Sequence, residues 1–241
     1  MALTGWEQDR YMRQLMVSDW DQEKLKSACV LIAGVGGLGS VIALYLTAAG
    51  VGRIFLVDGD RVERSDLNRQ VLYAENSLGQ LKVEAARRRL MALNSEIDID
   101  IFAEYINPEN IDRLTRECDL LVDGLDNVES RLILNGESVR RQIPYIYGAV
   151  QGWEGVVGLF HPPHTACFGC FSSEHVSPPG IIPVSGAISG MIGLMEATEA
   201  LKLLMGSDTG LLGRIMVYDS RALTFDNVEV ERNPHCKFCS E

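Results

Sequence analysis

Residues 28–39 read ACVLIAGVGGLG: a short apolar run, Ala28 to Ala33, leads straight into Gly34-Val35-Gly36-Gly37-Leu38-Gly39. An apolar run of this length that ends in glycine predicts a strand buried on both faces, as in a parallel sheet. Residues 36–50 continue as a helix, so the glycines occupy a strand-to-helix turn. That context is what gives the G-x-G-x-x-G spacing meaning. Glycine permits the tight turn and lets backbone N–H groups approach phosphate oxygens, and the helix N-terminus adds a favourable dipole. Residues 53–58 (RIFLVD) form a second buried run. It ends on Asp58, whose carboxylate can accept hydrogen bonds from ribose hydroxyls. These residues predict a nucleotide site without naming the nucleotide. NAD and ATP share the adenosine half, so an NAD-dependent oxidoreductase fits the loop and Asp58 as well.

Outward from this unit, residues 78–94 have helical periodicity and 97–102 alternate like a half-exposed strand. A helix is predicted over 108–116, a third buried strand over 118–123, and a helix from there through Arg141. Residues 144–160 read as strands with glycines between them. Residues 161–185 are dense in Pro, Ser, His and Cys and read as a long loop. An apolar helix covers 186–205, and 214–230 hold two strands. The alternation predicts an α/β fold: a doubly wound, Rossmann-type, mostly parallel sheet with a C-terminal strand extension. The 241 residues suit a single domain, 1–241. It divides into an N-terminal helical arm (1–27), a nucleotide-binding core (28–160) and a cysteine-stapled loop, helix and C-terminal strands (161–241). Trp153, Phe160, Met191 and Met195 read as core. Arg87, Arg88 and Arg89 spread round a helix and read as a solvated face.

Hydrophobic residues make up 46% of the chain and charged residues 23%, enough apolar content for a full core. The formal net charge of -11 argues against a nucleic-acid partner, which needs a basic footprint. No stretch reads as membrane-spanning, and residues 1–10 do not read as a signal peptide. Four of the six cysteines form two Cys-x-x-Cys pairs, Cys167/Cys170 and Cys236/Cys239. Without an export signal this spacing favours metal over disulfides and a cytoplasmic location. Two knuckles make a closed, tetrahedral Cys₄ zinc site of structural type. His161 and His164 lie nearby, but four sulfurs complete the set; these two, with His175 and His235, read as loop residues. Cys29 and Cys118 fall in buried strands and read as core thiols.

A polar cluster follows the second strand: Asp60, Arg69, Gln70 and Lys82. Arg69 can fork onto phosphate oxygens, and Lys82 supplies a point charge. Asp123, Asp126 and Asn127 fall at the carboxyl end of a buried strand, the edge where open α/β sheets bind ligands. A carboxylate there can hold Mg²⁺ against a triphosphate, although Asp126-Asn127 also fits a plain helix N-cap. Hydride transfer has no use for this set, whereas phosphoryl chemistry does.

Taken together, Arg10-Tyr-Met-Arg-Gln14, Gly34 to Gly39, Asp58-Gly-Asp60, Asn68-Arg-Gln70, Gly79-Gln-Leu-Lys82, Asp123-Gly-Leu-Asp-Asn127 and both cysteine pairs resemble the MoeB/ThiF/HesA family, relatives of the ubiquitin-activating enzymes. The resemblance implies an ATP-dependent adenylyltransferase. Such an enzyme activates the C-terminal Gly-Gly carboxylate of a ubiquitin-like sulfur-carrier protein and releases pyrophosphate. By similarity, Gly34, Gly36, Gly37, Gly39, Asp58, Asp60, Asn68, Arg69, Gln70, Lys82, Asp123 and Asn127 would bind ATP, and Asp126 would bind Mg²⁺. Arg13 matches an arginine that family members present to the other subunit's ATP site, which implies a homodimer. Many relatives carry a cysteine in the loop before the last long helix. Here residues 171–185 read FSSEHVSPPGIIPVS, and Ser173, Ser177 and Ser185 cannot replace a thiolate at neutral pH. The resemblance therefore implies adenylation without an enzyme–carrier covalent intermediate, and an external sulfurtransferase as sulfur source. A third alternative is a non-catalytic relative that only binds a ubiquitin-like protein. The intact Arg69, Lys82 and Asp126 speak against it.

Overall fold

A computed structural model describes residues 2–172, 180 and 182–240; the loop residues Ser173, His175 and Ser177 lie outside the described residues. In chain order the helices are α1 (Gly5–Tyr11), α2 (Gln22–Ser27), α3 (Gly37–Ala49), α4 (Lys82–Leu93), α5 (Ile111–Thr115), α6 (Val128–Arg141), α7 (Phe168–Ser172) and α8 (Gly186–Met205). The strands are β1 (Cys29–Ala33), β2 (Arg53–Val57), β3 (Asp98–Phe102), β4 (Leu120–Asp123), β5 (Tyr145–Gln151), β6 (Glu154–Phe160), β7 (Arg214–Asp219) and β8 (Thr224–Glu229). They form one sheet in the order β3-β2-β1-β4-β5-β6-β7-β8. Pairing is parallel from β3 to β5 and antiparallel from β5 to β8. This is the doubly wound, mostly parallel sheet with a strand extension that the alternation predicts.

The alternation of β1 builds both layers of the core. Val30 and Ile32 point into one, with Leu38, Ile42 and Leu46 of α3, Leu90 of α4 and Ile192 of α8. Cys29, Leu31 and Ala33 point into the other, with Leu114 of α5, Leu134 of α6 and Phe168 of α7. All five β1 residues are buried, as a central parallel strand requires. Cys29 and Cys118 are both buried, in line with their reading as core thiols. Helices α3 and α8 lie close because Gly193 carries no side chain; a Cβ there would sit 2.8 Å from the Leu38 carbonyl oxygen.

Some expectations shift. Helix α4 begins at Lys82, because Leu81 is held extended in a bridge to Arg61 and Gly79 has φ 79°. The loop after Phe160 contains the short helix α7. Phe160 is fully buried and Met191 and Met195 pack against the core, but Trp153 lies at the tip of the β5–β6 hairpin and is 50% exposed. Arg87, Arg88 and Arg89 are all exposed. Among the described residues, no helix is long and apolar enough to cross a membrane.

Candidate functional site

The glycine turn is built by backbone contact. Gly34 has φ 85°, and a Cβ on it would lie 2.6 Å from the Gly124 carbonyl oxygen. A Cβ on Gly39 would lie 2.0 Å from the Gly34 oxygen. The loops after β1 and β4 therefore touch without side chains, and Gly34 N–H donates to the Val57 carbonyl at 2.8 Å. Gly36 caps α3 with no side-chain hydrogen bond, so the first N–H groups of that helix are left for a ligand. An anion fits such a terminus.

Asp58 extends this turn to β2. Its carboxylate accepts from Val35 N–H and from Asp60 N–H, both at 2.8 Å. Burial pushes its pKa above the usual carboxylate range, and these two donors and Lys82 only partly oppose the rise. Lys82, buried at the start of α4, donates to Asp60 at 2.9 Å and lies 3.9 Å from Asp66. Burial works against its charge. The bond to Asp60 and the charges of Asp58, Asp60 and Asp66 more than offset this, so its pKa lies above the ordinary lysine value. Asp60 is also opposed by burial, but bonds from Tyr105 and Lys82 hold it below the ordinary value.

Arg69 and Gln70 hang on Asp66, which accepts from Gln70 Nε2 at 2.7 Å and lies 3.4 Å from Arg69 Nη2. Arg69 also donates to Ser65 O and to Asn68 Oδ1. Both residues border the glycine turn. A Cβ on Gly37 would lie 3.5 Å from Arg69 Cγ and 3.2 Å from Ser189 Oγ of α8, and one on Gly36 would lie 3.8 Å from Gln70 Nε2. Gln70 Oε1 is buried with no partner among the described residues, an acceptor left open beside the turn.

The residues after β4 divide. Asp126 is exposed and accepts only from Asn127 Nδ2, at 3.2 Å, among the described residues. Asn127 caps α6, taking Ser130 N–H at 2.8 Å. Asp123, also expected among the ATP ligands, lies inside the protein. It is 0% exposed, and its carboxylate is filled by Leu125 N–H, Arg131 Nε and Tyr145 O–H at 2.7–2.9 Å. Arg131 in turn donates to the Leu125 and Gly148 carbonyls. Asp123 is thus an internal anchor for the loop that carries Asp126.

Arg13 is exposed and apart from this cluster. Its arm packs at the far end of α3, where Gln14 donates to the Ala49 carbonyl and a Cβ on Gly50 would meet Tyr11. The 13 residues of α3 separate that end from the glycine turn by about 20 Å.

Beside α6, the ligand atoms of Cys167, Cys170, Cys236 and Cys239 all lie within 4.8 Å of one another. The Sγ separations include 3.9, 3.6 and 3.4 Å. A tetrahedral ion with Zn–S near 2.3 Å sets such separations at about 3.8 Å, so the four sulfurs fit zinc. His161 and His164 meet edge to face and are not part of the cluster; His235 is exposed.

Sequence reading missed four members of the neighbourhood. Asp66 was legible as the acid at i−3 and i−4 from Arg69 and Gln70. Ser189, Arg131 and Tyr105 belong to no motif in the linear chain.

A model of the ThiF family matches residues 11–238. The sulfur carrier protein adenylyltransferase of Thermus thermophilus is 37% identical over 255 residues, covering 100% of this chain and 94% of the relative. Protein HesA of Leptolyngbya boryana is 35% identical over 243 residues, covering 99% and 88%. The crystal structure of E. coli MccB with ATP matches with a TM-score of 0.85 at 26% identity, covering 99% of this chain and 76% of that one. With its glycine turn, its lysine–carboxylate cluster and its first cysteine knuckle inside the matched span, the chain belongs to the ThiF family.

Proposed function

We propose that this chain is an ATP-dependent adenylyltransferase acting on the C-terminal Gly-Gly carboxylate of a ubiquitin-like sulfur-carrier protein. The observation that carries this reading is the convergence of the bare α3 N-terminus, Asp58, Arg69 and Lys82 at the carboxyl edge of β1 and β2, with the Asp126 loop against them. The names of the relatives support it. In this reading a carboxylate oxygen of the carrier bonds to the α-phosphorus of ATP. The bond from that phosphorus to its bridging oxygen breaks, and pyrophosphate leaves with the electron pair.

The α3 N–H groups hold phosphate oxygens, Asp58 holds the ribose, and Arg69 and Lys82 neutralise charge that grows on the phosphates. Asp126 would hold Mg²⁺, which when bound shields the phosphates. Positioning and charge do the work, so no enzyme nucleophile is required. The sulfur of a later thiocarboxylate comes from a separate sulfurtransferase. Arg13, on the arm that packs at the end of α3 away from its own glycine turn, serves the site of a second copy in a homodimer. Cys167, Cys170, Cys236 and Cys239 hold a structural zinc ion, and the protein works in the cytoplasm, where thiolates stay reduced. An oxidoreductase would leave Arg69 and the Lys82–Asp60–Asp66 cluster without a task.

ATP–pyrophosphate exchange with Gly-Gly-ended carriers, beside a control without carrier, tests the reading. Carrier-dependent exchange is the expected result. NAD binding with no exchange on any carrier would overturn it.

A further inference from the structure

Tyr105 follows β3 at the same sheet edge as Asp58. It is 67% exposed, unusual for so large a ring. It is nevertheless fixed. Its hydroxyl donates to Asp60 Oδ1 at 2.7 Å. Its carbonyl accepts from Asn107 and Asn110 side-chain amides at 3.3 and 2.9 Å. The ring rests on Gly59: a Cβ there would lie 2.9 Å from two ring carbons, so glycine at 59 is what lets the ring approach. The hydrogen bond to Asp60, with the charges of Asp60, Asp58 and Asp126, raises the phenol's pKa.

An exposed aromatic held rigid beside a ribose acceptor has an obvious chemical use. If Asp58 takes the ribose and the α3 terminus takes the phosphates, the base must lie against the surface that borders Asp58 on the side away from α3. Gly59 and Tyr105 form that border. A purine has a broad π-face that stacks on an aromatic ring, and a ring already fixed by a hydrogen bond loses little freedom in doing so.

We propose that Tyr105 is a nucleoside-binding residue that supplies the aromatic face against which the purine of ATP stacks. The inference rests on the ATP reading above and extends it to a residue outside the motifs. It is tested by equilibrium binding of MgATP, AMP and inorganic tripolyphosphate to the full chain and to Tyr105→Ala, Tyr105→Phe and Tyr105→Trp. Tyr105→Ala will weaken ATP and AMP by about tenfold or more, the scale of base–aromatic stacking. It will leave tripolyphosphate unchanged. Tyr105→Phe and Tyr105→Trp will keep AMP within about threefold of the wild type, because the face remains. Tyr105→Ala binding AMP like the wild type would overturn the inference, as would an equal loss for tripolyphosphate. A wild-type chain that binds neither ATP nor AMP would overturn the ATP reading and this inference with it.

Discussion

Asp58 and Asp123 are both strand-end carboxylates, and the structure gives them opposite duties. Asp58 uses its two oxygens to hold Val35 and Asp60 N–H groups and stays at the cleft. An asparagine there can accept through one oxygen only. Asp58→Asn will cost about 1–3 kcal/mol of stability, read by denaturant unfolding, and will weaken ATP binding. Asp123 faces inward onto Arg131. Asp123→Ala strands a buried guanidinium and will cost about 3–5 kcal/mol; a stable variant that merely loses ATP would refute the anchoring role. In the linear chain the two aspartates look alike, since each closes an apolar run. What separates them is Arg131 on the next helix, and no short-range pattern carries that. The Lys82–Asp60 pair gives a pH test. Asp60 has its folded pKa depressed, so its contribution is present above the ordinary 3.8 and fades as pH falls below it. Lys82 has its folded pKa raised, so its contribution is present below the ordinary 10.5 and is lost above it. Between those limits the pair stays ionised. The loss of ATP affinity in Lys82→Gln will be the same at about pH 6 and at about pH 9.

At the scale of elements, the β1–α3 turn is the rigid part of the site and α8 is its wall. Gly39→Ala would drive a methyl into the Gly34 carbonyl at 2.0 Å. It will cost more than about 4 kcal/mol and yield little folded protein. Gly37→Ala meets Ser189 Oγ at 3.2 Å, a side chain that can give. It will cost about 1 kcal/mol in thermal denaturation yet still weaken ATP binding, because its methyl faces the ligand side. This turn was legible because strand, glycines and helix are contiguous. Helix α8 was legible in full, since a largely apolar stretch ends on Gly206 in the left-handed region at φ 78°. The start of α4 was not, because a bridge between Arg61 and Leu81 decides it and the pairing is long-range. Trp153 was misread for a similar reason: its hydrophobicity says core, but the hairpin turn at Gly152, φ 61°, lifts it to the tip.

For the whole molecule, the cysteine knuckles tie the loop after β6 to the C-terminal tail, a segment whose strand β8 buries none of its six residues. A metal held by the four sulfurs would supply stability that core does not. The purified protein will hold one zinc per chain by elemental analysis, and Cys170→Ser will lose it and lower Tm by at least about 5 °C. Unchanged zinc content would refute the Cys₄ reading. Of the nucleotide edge, the glycine turn, Asp58, Arg69, Lys82 and the Asp126 loop all precede the first knuckle in the chain, and only the α8 wall follows it. That order has a consequence during synthesis. A ribosome delivers β1 to β5, and then α8, which completes their core, while Cys236 and Cys239 are still unmade. Cys167 and Cys170 therefore wait as an open two-thiol half-site until the tail arrives to close it.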